Sequence, residues 1–194
     1  MLVRLTMICC GLTAASRRGF FPADESLDDR VLAGISALAE NLDTATRIWT
    51  SPVLRARQTA EALGLQAADV PALKDQDFGA WSGRAFEDVQ RAQPDVASAW
   101  LVDPGATPPD GENFRSIAAR VAALFDEQVA EPGHTIAVTH PAVIRAAILH
   151  VLKAPLNGFQ FIDVEPLSIA DFRSDGTRWQ LRASGVTMPK AQRR

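Results

Sequence analysis

Short apolar runs of β type alternate with amphipathic helical stripes along most of the chain, and that alternation leaves few folds open. Leu2, Val3, Leu5, Met7 and Ile8 mark a buried strand over 2–8, which stops at Cys9-Cys10-Gly11. Asp28 then reads as an N-cap, followed by Val31, Leu32, Ile35, Leu38 and Leu42 at helical spacing. A second strand is expected over 45–50. Ser51-Pro52 opens the next helix, which Gly64 ends. Residues 66–84 read as loop, and helices are expected near 85–92 and on to Trp100. The stripe Phe114, Ile117, Val121, Leu124, Phe125 marks a long helix over 113–129. A strand over 134–139 leads into a helix over 141–152. Three β-rich runs close the pattern, at 158–165, 168–172 and 178–182, with Asp175-Gly176 as a hairpin turn between the last two. The expected fold is α/β: a three-layer α/β/α sandwich with a mostly parallel central sheet and an antiparallel edge strand. Residues 1–183 are expected to form a single domain and 184–194 a disordered tail.

Composition narrows the setting. The chain has 194 residues, a length typical of one domain, and 47% of them are hydrophobic, enough for a sizeable core. A formal net charge of -3 gives no electrostatic reason to expect nucleic acid or an anionic membrane as partner. A site for anions would have to rely on local arginines. The only two cysteines are adjacent, so they build neither a disulfide framework nor a zinc site by themselves. The apolar N-terminal run is short and broken by Arg4, which favours a buried strand over a targeting peptide. No apolar run approaches the ~20 residues of a membrane span. A cytoplasmic location is the default, and a homodimer is compatible with the sequence.

Four segments carry candidate chemistry. Ser51-Pro-Val-Leu-Arg55-Ala-Arg-Gln-Thr59-Ala places an arginine in the helix that follows a strand. A guanidinium fork there can meet two oxygens of one phosphate. Leu73-Lys-Asp75-Gln-Asp77-Phe78-Gly79-Ala-Trp81-Ser-Gly83 offers two acids in a loop. Pro109-Asp-Gly111-Glu112-Asn-Phe precedes the long helix, where Glu112 either helps to orient the site or, the slightly favoured reading, stabilises the helix N-terminus. Ile136-Ala-Val-Thr139-His140-Pro-Ala-Val-Ile-Arg145 puts a histidine directly after a buried strand and at a helix start, well placed to donate to an anion. His134 and His150 lack such a context and read as structural.

These segments, in this order, resemble the histidine phosphatase superfamily of phosphoglycerate-mutase type over roughly residues 3–172. The resemblance implies that Arg55 binds phosphate and that His140 binds phosphate and stabilises the transition state. Asp75 falls on the family's proton donor, with Asp77 as its rival. An acid at that point protonates the leaving oxygen. Thr13, Ser16 and Arg17 fall near further phosphate contacts. The segments Phe20–Leu27 and Trp100–Gly111 are expected to cover the pocket. A phosphorylated small molecule or inorganic phosphate is the implied ligand, with no cofactor and no metal.

The first strand departs from that pattern. The family carries Arg-His-Gly-x-Thr where this chain has Cys9-Cys10-Gly11-Leu12-Thr13. The cation and the nucleophilic imidazole are both missing. Cys10 is the candidate replacement nucleophile, as a thiolate. A separate cysteine-phosphatase loop is not supported, because the first arginine after Cys10, Arg17, stands one residue beyond the Cys-x5-Arg spacing. Arg17 or Arg18 folding back is the expected source of the lost positive charge. The implied activity is weak or altered phosphomonoester hydrolysis. The alternative is a degenerate member that binds a phospholigand or partner without turnover.

Overall fold

A computed structural model describes residues 2–35 and 42–187. Seven helices and six strands are assigned within them. In chain order they are β1 (Val3–Cys9), α1 (Ala14–Arg17), α2 (Asp29–Ile35), β2 (Arg47–Thr50), α3 (Leu54–Ala62), β3 (Ala68–Asp69), α4 (Phe86–Ala92), α5 (Pro94–Val102), α6 (Phe114–Gln128), β4 (Gly133–Thr139), α7 (Pro141–Leu152), β5 (Ser168–Ser174) and β6 (Trp179–Thr187). One sheet carries the strands in the order β3-β2-β4-β1-β5-β6. β3, β2, β4 and β1 run parallel, while β5 and β6 are antiparallel additions at one side.

The pleat of β1 divides the core. Leu5, Met7 and Cys9 face α6 and α7, together with Ile117, Val121, Phe125, Ile144 and Phe172. Ile8 and Cys10 face the other layer, where Leu27, Ile35, Ala56 and Ala60 pack. Successive strand residues point to opposite faces, so the adjacent cysteines are sent to opposite sides of the sheet. Both are unpaired thiols. The predicted stripe of α6 is its buried face: Phe114, Ile117, Val121, Leu124 and Phe125 are all buried. A third cluster of Phe21, Phe78, Trp81, Val89 and Ala97 caps the carboxyl ends of the parallel strands.

Two expectations are corrected. The run 158–165 is not a strand: Leu156–Phe161 form a 3-10 helix, and Phe161 lies exposed while Phe159 stacks on Phe114. Strand β6 continues to Thr187 rather than ending at 182, so the described fold extends past the expected tail boundary at 184. Residues 188–194 lie outside the described residues. The helix after Asp28 is described only to Ile35; Leu38, part of its expected stripe, also lies outside them. The Asp28 cap itself is present, its carboxylate accepting the Arg30 N–H at 2.9 Å.

Candidate active site

Register brings the site together. Cys9 pairs with Thr139 in the parallel β1–β4 ladder, so the next residues, Cys10 and His140, leave their strands side by side. Thr50 pairs with Val138, which sets Ser51 on the other flank of His140. Helices α3 and α7 leave these strand ends toward opposite faces of the sheet, opening the crevice in which α/β folds bind ligands.

His140 is fully buried. Its Nε2 lies 2.8 Å from Ser51 Oγ, which itself accepts the Val53 N–H at 3.2 Å. Its Nδ1 lies 3.4 Å from Cys10 Sγ and 3.5 Å from Asp75 Oδ2. An ionised carboxylate only accepts, so Nδ1 can donate to Asp75 only when it carries the ring proton. Arg55, buried, pairs through Nη2 with Asp75 Oδ2 and donates through Nη1 to Ala23 O at 2.9 Å. Thr59 Oγ1 accepts the Gly11 N–H at 3.1 Å and tethers the turn after β1 to α3.

The charges of this cluster bias one another. Burial alone would raise the Asp75 carboxyl, but His140 and Arg55, with the Gln76 N–H, hold it below its ordinary value. The neighbouring Cys9 thiol, and then the His140 and Arg55 charges, push the Cys10 thiol well below its ordinary value against burial. Cys9 moves the other way, through its neighbour Cys10 and its own burial.

A cavity of about 200 Å³ opens over these groups, lined by Cys9, Cys10, Ser16, Arg55, Asp75 and Arg145, with Phe78, Trp100 and Pro141 among its walls. Cys10, Asp75, Arg55 and Ser16 therefore line one cavity, with His140 bonded beneath. The expected covering segments contribute Pro22 and Trp100. Asp77 is turned away, accepting the N–H of Gly79 at 2.9 Å. Thr13 caps α1 in a capping box with Ser16 and donates to Glu25 at 2.7 Å, which spends its hydroxyl away from the cavity. Arg17 is also elsewhere, paired with Asp28 at 3.3 Å. Arg18 donates to Ala14 O at 3.2 Å and lies over the Phe20 ring. Neither replaces the missing cation. A larger open groove of about 750 Å³ runs between α6, α7 and the β5–β6 turn, but alanines and aliphatic residues dominate it and the strand ends contribute nothing.

Two supporting groups carried no assigned role in the sequence. Ser51 holds His140 from behind. Arg120 on α6 clasps Glu112 at 3.1 and 3.2 Å and donates to the carbonyls of Ala72 and Asp75, at 2.6 and 3.3 Å, fixing the loop that presents Asp75. Glu112 thus buttresses that loop. Gly79 completes the clamp. Its φ of +50° and its contact with the 109–111 loop leave no room for a side chain, whose Cβ would overlap the Pro109 carbonyl. Gly79→Ala is expected to cost about 2–3 kcal/mol. Denaturant unfolding checks this; a loss under about 0.5 kcal/mol, the range of a neutral surface change, would show that the loop yields easily.

Fold and site together define an α/β protein built to gather arginine, histidine and an anion-sized cavity at the ends of parallel strands. The chain belongs to the histidine phosphatase superfamily (branch 1), whose family model matches residues 5–187. It is similar to a bifunctional protein of Mycobacterium tuberculosis, 33% identical in an alignment of 138 positions that covers 66% of this chain and 38% of that relative. It also resembles a 6-phosphofructo-2-kinase/fructose-2,6-bisphosphatase of Caenorhabditis elegans, 27% identical over 61% of this chain and 26% of the relative. The chain thus matches well under half the length of these curated relatives. Among solved structures, a mycobacterial glucosyl-3-phosphoglycerate phosphatase in complex with VO3 superimposes with a TM-score of 0.85 and 26% identity, covering 95% of this chain and 99% of that one. An alpha-ribazole phosphatase from Shigella flexneri shares the fold with a TM-score of 0.83 at 22% identity, over 96% of this chain and 98% of that one. Among the described residues, no helix is long and apolar enough to cross a membrane.

Proposed function

We propose that this protein binds the phosphate of a phosphorylated small molecule over Cys10 and hydrolyses phosphomonoesters slowly at most. The observation that carries the reading is the convergence of Arg55, Asp75 and Cys10 on one cavity at the strand ends, with His140 bonded to Cys10. The VO3 complex of the similar mycobacterial phosphatase supports an oxyanion as ligand. Slow turnover follows from two losses. The family's nucleophilic imidazole is a thiol here, and the candidate acid is held ionised by Arg55 and His140. A general acid must carry its proton at the working pH. Two unpaired thiols fit a reducing compartment, which supports the cytoplasm as the setting.

A second reading rests on the 3.4 Å approach of Cys10 Sγ to His140 Nδ1. A thiolate paired with an imidazolium can attack phosphorus, forming an S–P bond as the ester P–O bond breaks, with the leaving oxygen taking the proton of Nδ1. Phosphate release from a panel of phosphomonoesters, read beside calorimetric binding of inorganic phosphate, separates the two. Phosphate binding with release close to the enzyme-free rate is the expected result. Brisk release abolished by Cys10→Ala would replace it with the phosphocysteine route. Absence of phosphate binding would overturn both.

A further inference from the structure

The missing first-strand cation leaves a specific gap. Cys9, in its slot, contributes no charge, and Arg17 and Arg18 are committed elsewhere. We infer that Arg145 of α7 takes over that charge and clamps, opposite Arg55, the same anion held over Cys10. The inference rests on the phosphate-binding reading and names a residue that reading does not use.

Four observations carry it. First, Arg145 lines the cavity that Cys9, Cys10, Arg55 and Asp75 line. Second, it approaches from the correct side: Cys9 points toward the α7 layer, and Arg145 stands one turn into α7, at the fifth residue after His140. Its charge is felt at Cys9, where it opposes the upward push of burial and of Cys10. Third, its guanidinium is aimed but not satisfied. Nε donates to Ile162 O at 2.7 Å, which fixes the plane of the fork. Among the described residues no carboxylate lies within ion-pair distance of it, and its Nη groups have no protein acceptor while remaining open to solvent. Fourth, it is half-buried without a counter-ion. Burial pulls it below its ordinary value, and the more distant Asp163, Cys9 and Asp75 do not make up the difference. Arg55 and Arg4, which have carboxylate partners, are raised instead.

A half-buried guanidinium with no carboxylate partner and both Nη groups free is well suited to take an anion in a bidentate pair. Arg55 already spends its Nη2 on Asp75. Arg145 is therefore the cation with both Nη groups available. The start of α7 adds to the same point. Pro141 lacks an N–H, and the next amides lie at the positive end of a 12-residue helix beside the cavity wall formed by Pro141 and Ala142. Walls of Phe78, Trp100 and Pro22 then suit an apolar or aromatic group attached to the anion.

The test uses inorganic phosphate alone, titrated calorimetrically into wild type, Arg145→Gln, Arg145→Lys and the exposed control Arg91→Gln, with circular dichroism confirming the folded state. Inorganic phosphate has no second group, so it reports only on the anion over Cys10. The expected result is at least tenfold weaker binding in Arg145→Gln, a smaller loss in Arg145→Lys, which keeps charge but not the fork, and no change in Arg91→Gln. Wild-type binding that Arg145→Gln leaves unchanged overturns the inference and spares the phosphate reading. That outcome would hand Arg145 to a more distant part of the ligand. No phosphate binding by wild type overturns the reading itself. If Arg145→Gln fails to fold, Arg145→Lys decides: phosphate affinity equal to wild type overturns the clamp, and a threefold or greater loss supports it.

Discussion

Cys10→His is expected to raise hydrolysis of an activated aryl phosphate by about a hundredfold or more over wild type, because a missing nucleophile is among the costliest losses a covalent mechanism can suffer. The imidazole would leave β1 beside His140, at the edge of the cavity of about 200 Å³, with Arg55 and Arg145 on the same cavity. Alkyl phosphates should gain far less. Their alkoxides need a proton, and Asp75, held by Arg55 and His140, is ionised and has none to give. The sequence alone suggests that Cys9→Arg must accompany Cys10→His. The structure argues otherwise, since the Cys9 side chain is 1% exposed, packed in the α7-side core, and its charge deficit is covered by Arg145. The double variant should therefore add little, and Arg145→Gln should cancel most of the gain from Cys10→His. Initial rates with aryl and alkyl esters decide the matter. A folded, phosphate-binding Cys10→His that leaves aryl phosphate hydrolysis at the wild-type rate would mean that the site is not one imidazole short of a phosphatase.

Much of this was legible in the chain, and the failures have common causes. Apolar strands that end in polar residues announced β1 and β4, and the helical stripe of α6 announced its buried face. Cys10, Arg55 and His140 were legible because each stands directly after, or one turn beyond, an element the local pattern defines, and Asp75 because its loop carries a motif of its own. Residues whose place depends on distant partners were not. Arg17 has a long side chain, and Asp28 decides where it goes. Thr13 could face the cavity or cap a helix, and the short α1 claims it. Arg145 sat inside the most recognisable motif of the chain, yet only the pairing of β1 with β4 and the packing of α7 over Cys9 reveal what it faces. The 158–165 run looked like a strand because it is apolar, but it pairs with no strand of the described sheet. β5 and β6 already occupy that side of the sheet, so the run folds into a 3-10 turn against α6.

Asp75→Asn should be the most destabilising of the isosteric changes in the site. It leaves Arg55, with only 6% of its side chain exposed, without its carboxylate, and breaking a buried pair in this way costs about 3–5 kcal/mol. For a domain of this size that corresponds to a melting temperature lower by roughly 6–20 °C. The pH dependence has a definite sign. The Asp75 carboxyl is held below its ordinary value of 3.8 in the folded protein, so the fold binds its proton less readily than the unfolded chain does. The stabilisation is accordingly complete above that value and is lost as the pH falls through the lower, folded one. Wild type and Asp75→Asn should differ by their full gap at neutral pH and converge in acid. Thermal unfolding of both proteins from about pH 7 down to about pH 2, well below an ordinary carboxyl near 4, measures that gap. A gap that stays constant down to the acid limit would show that Asp75 stabilises the fold by shape rather than charge, and that it is not held ionised. In that case Asp75 could again carry a proton, the slow turnover of alkyl phosphates would lose its explanation, and the missing imidazole at position 10 would have to account for it alone.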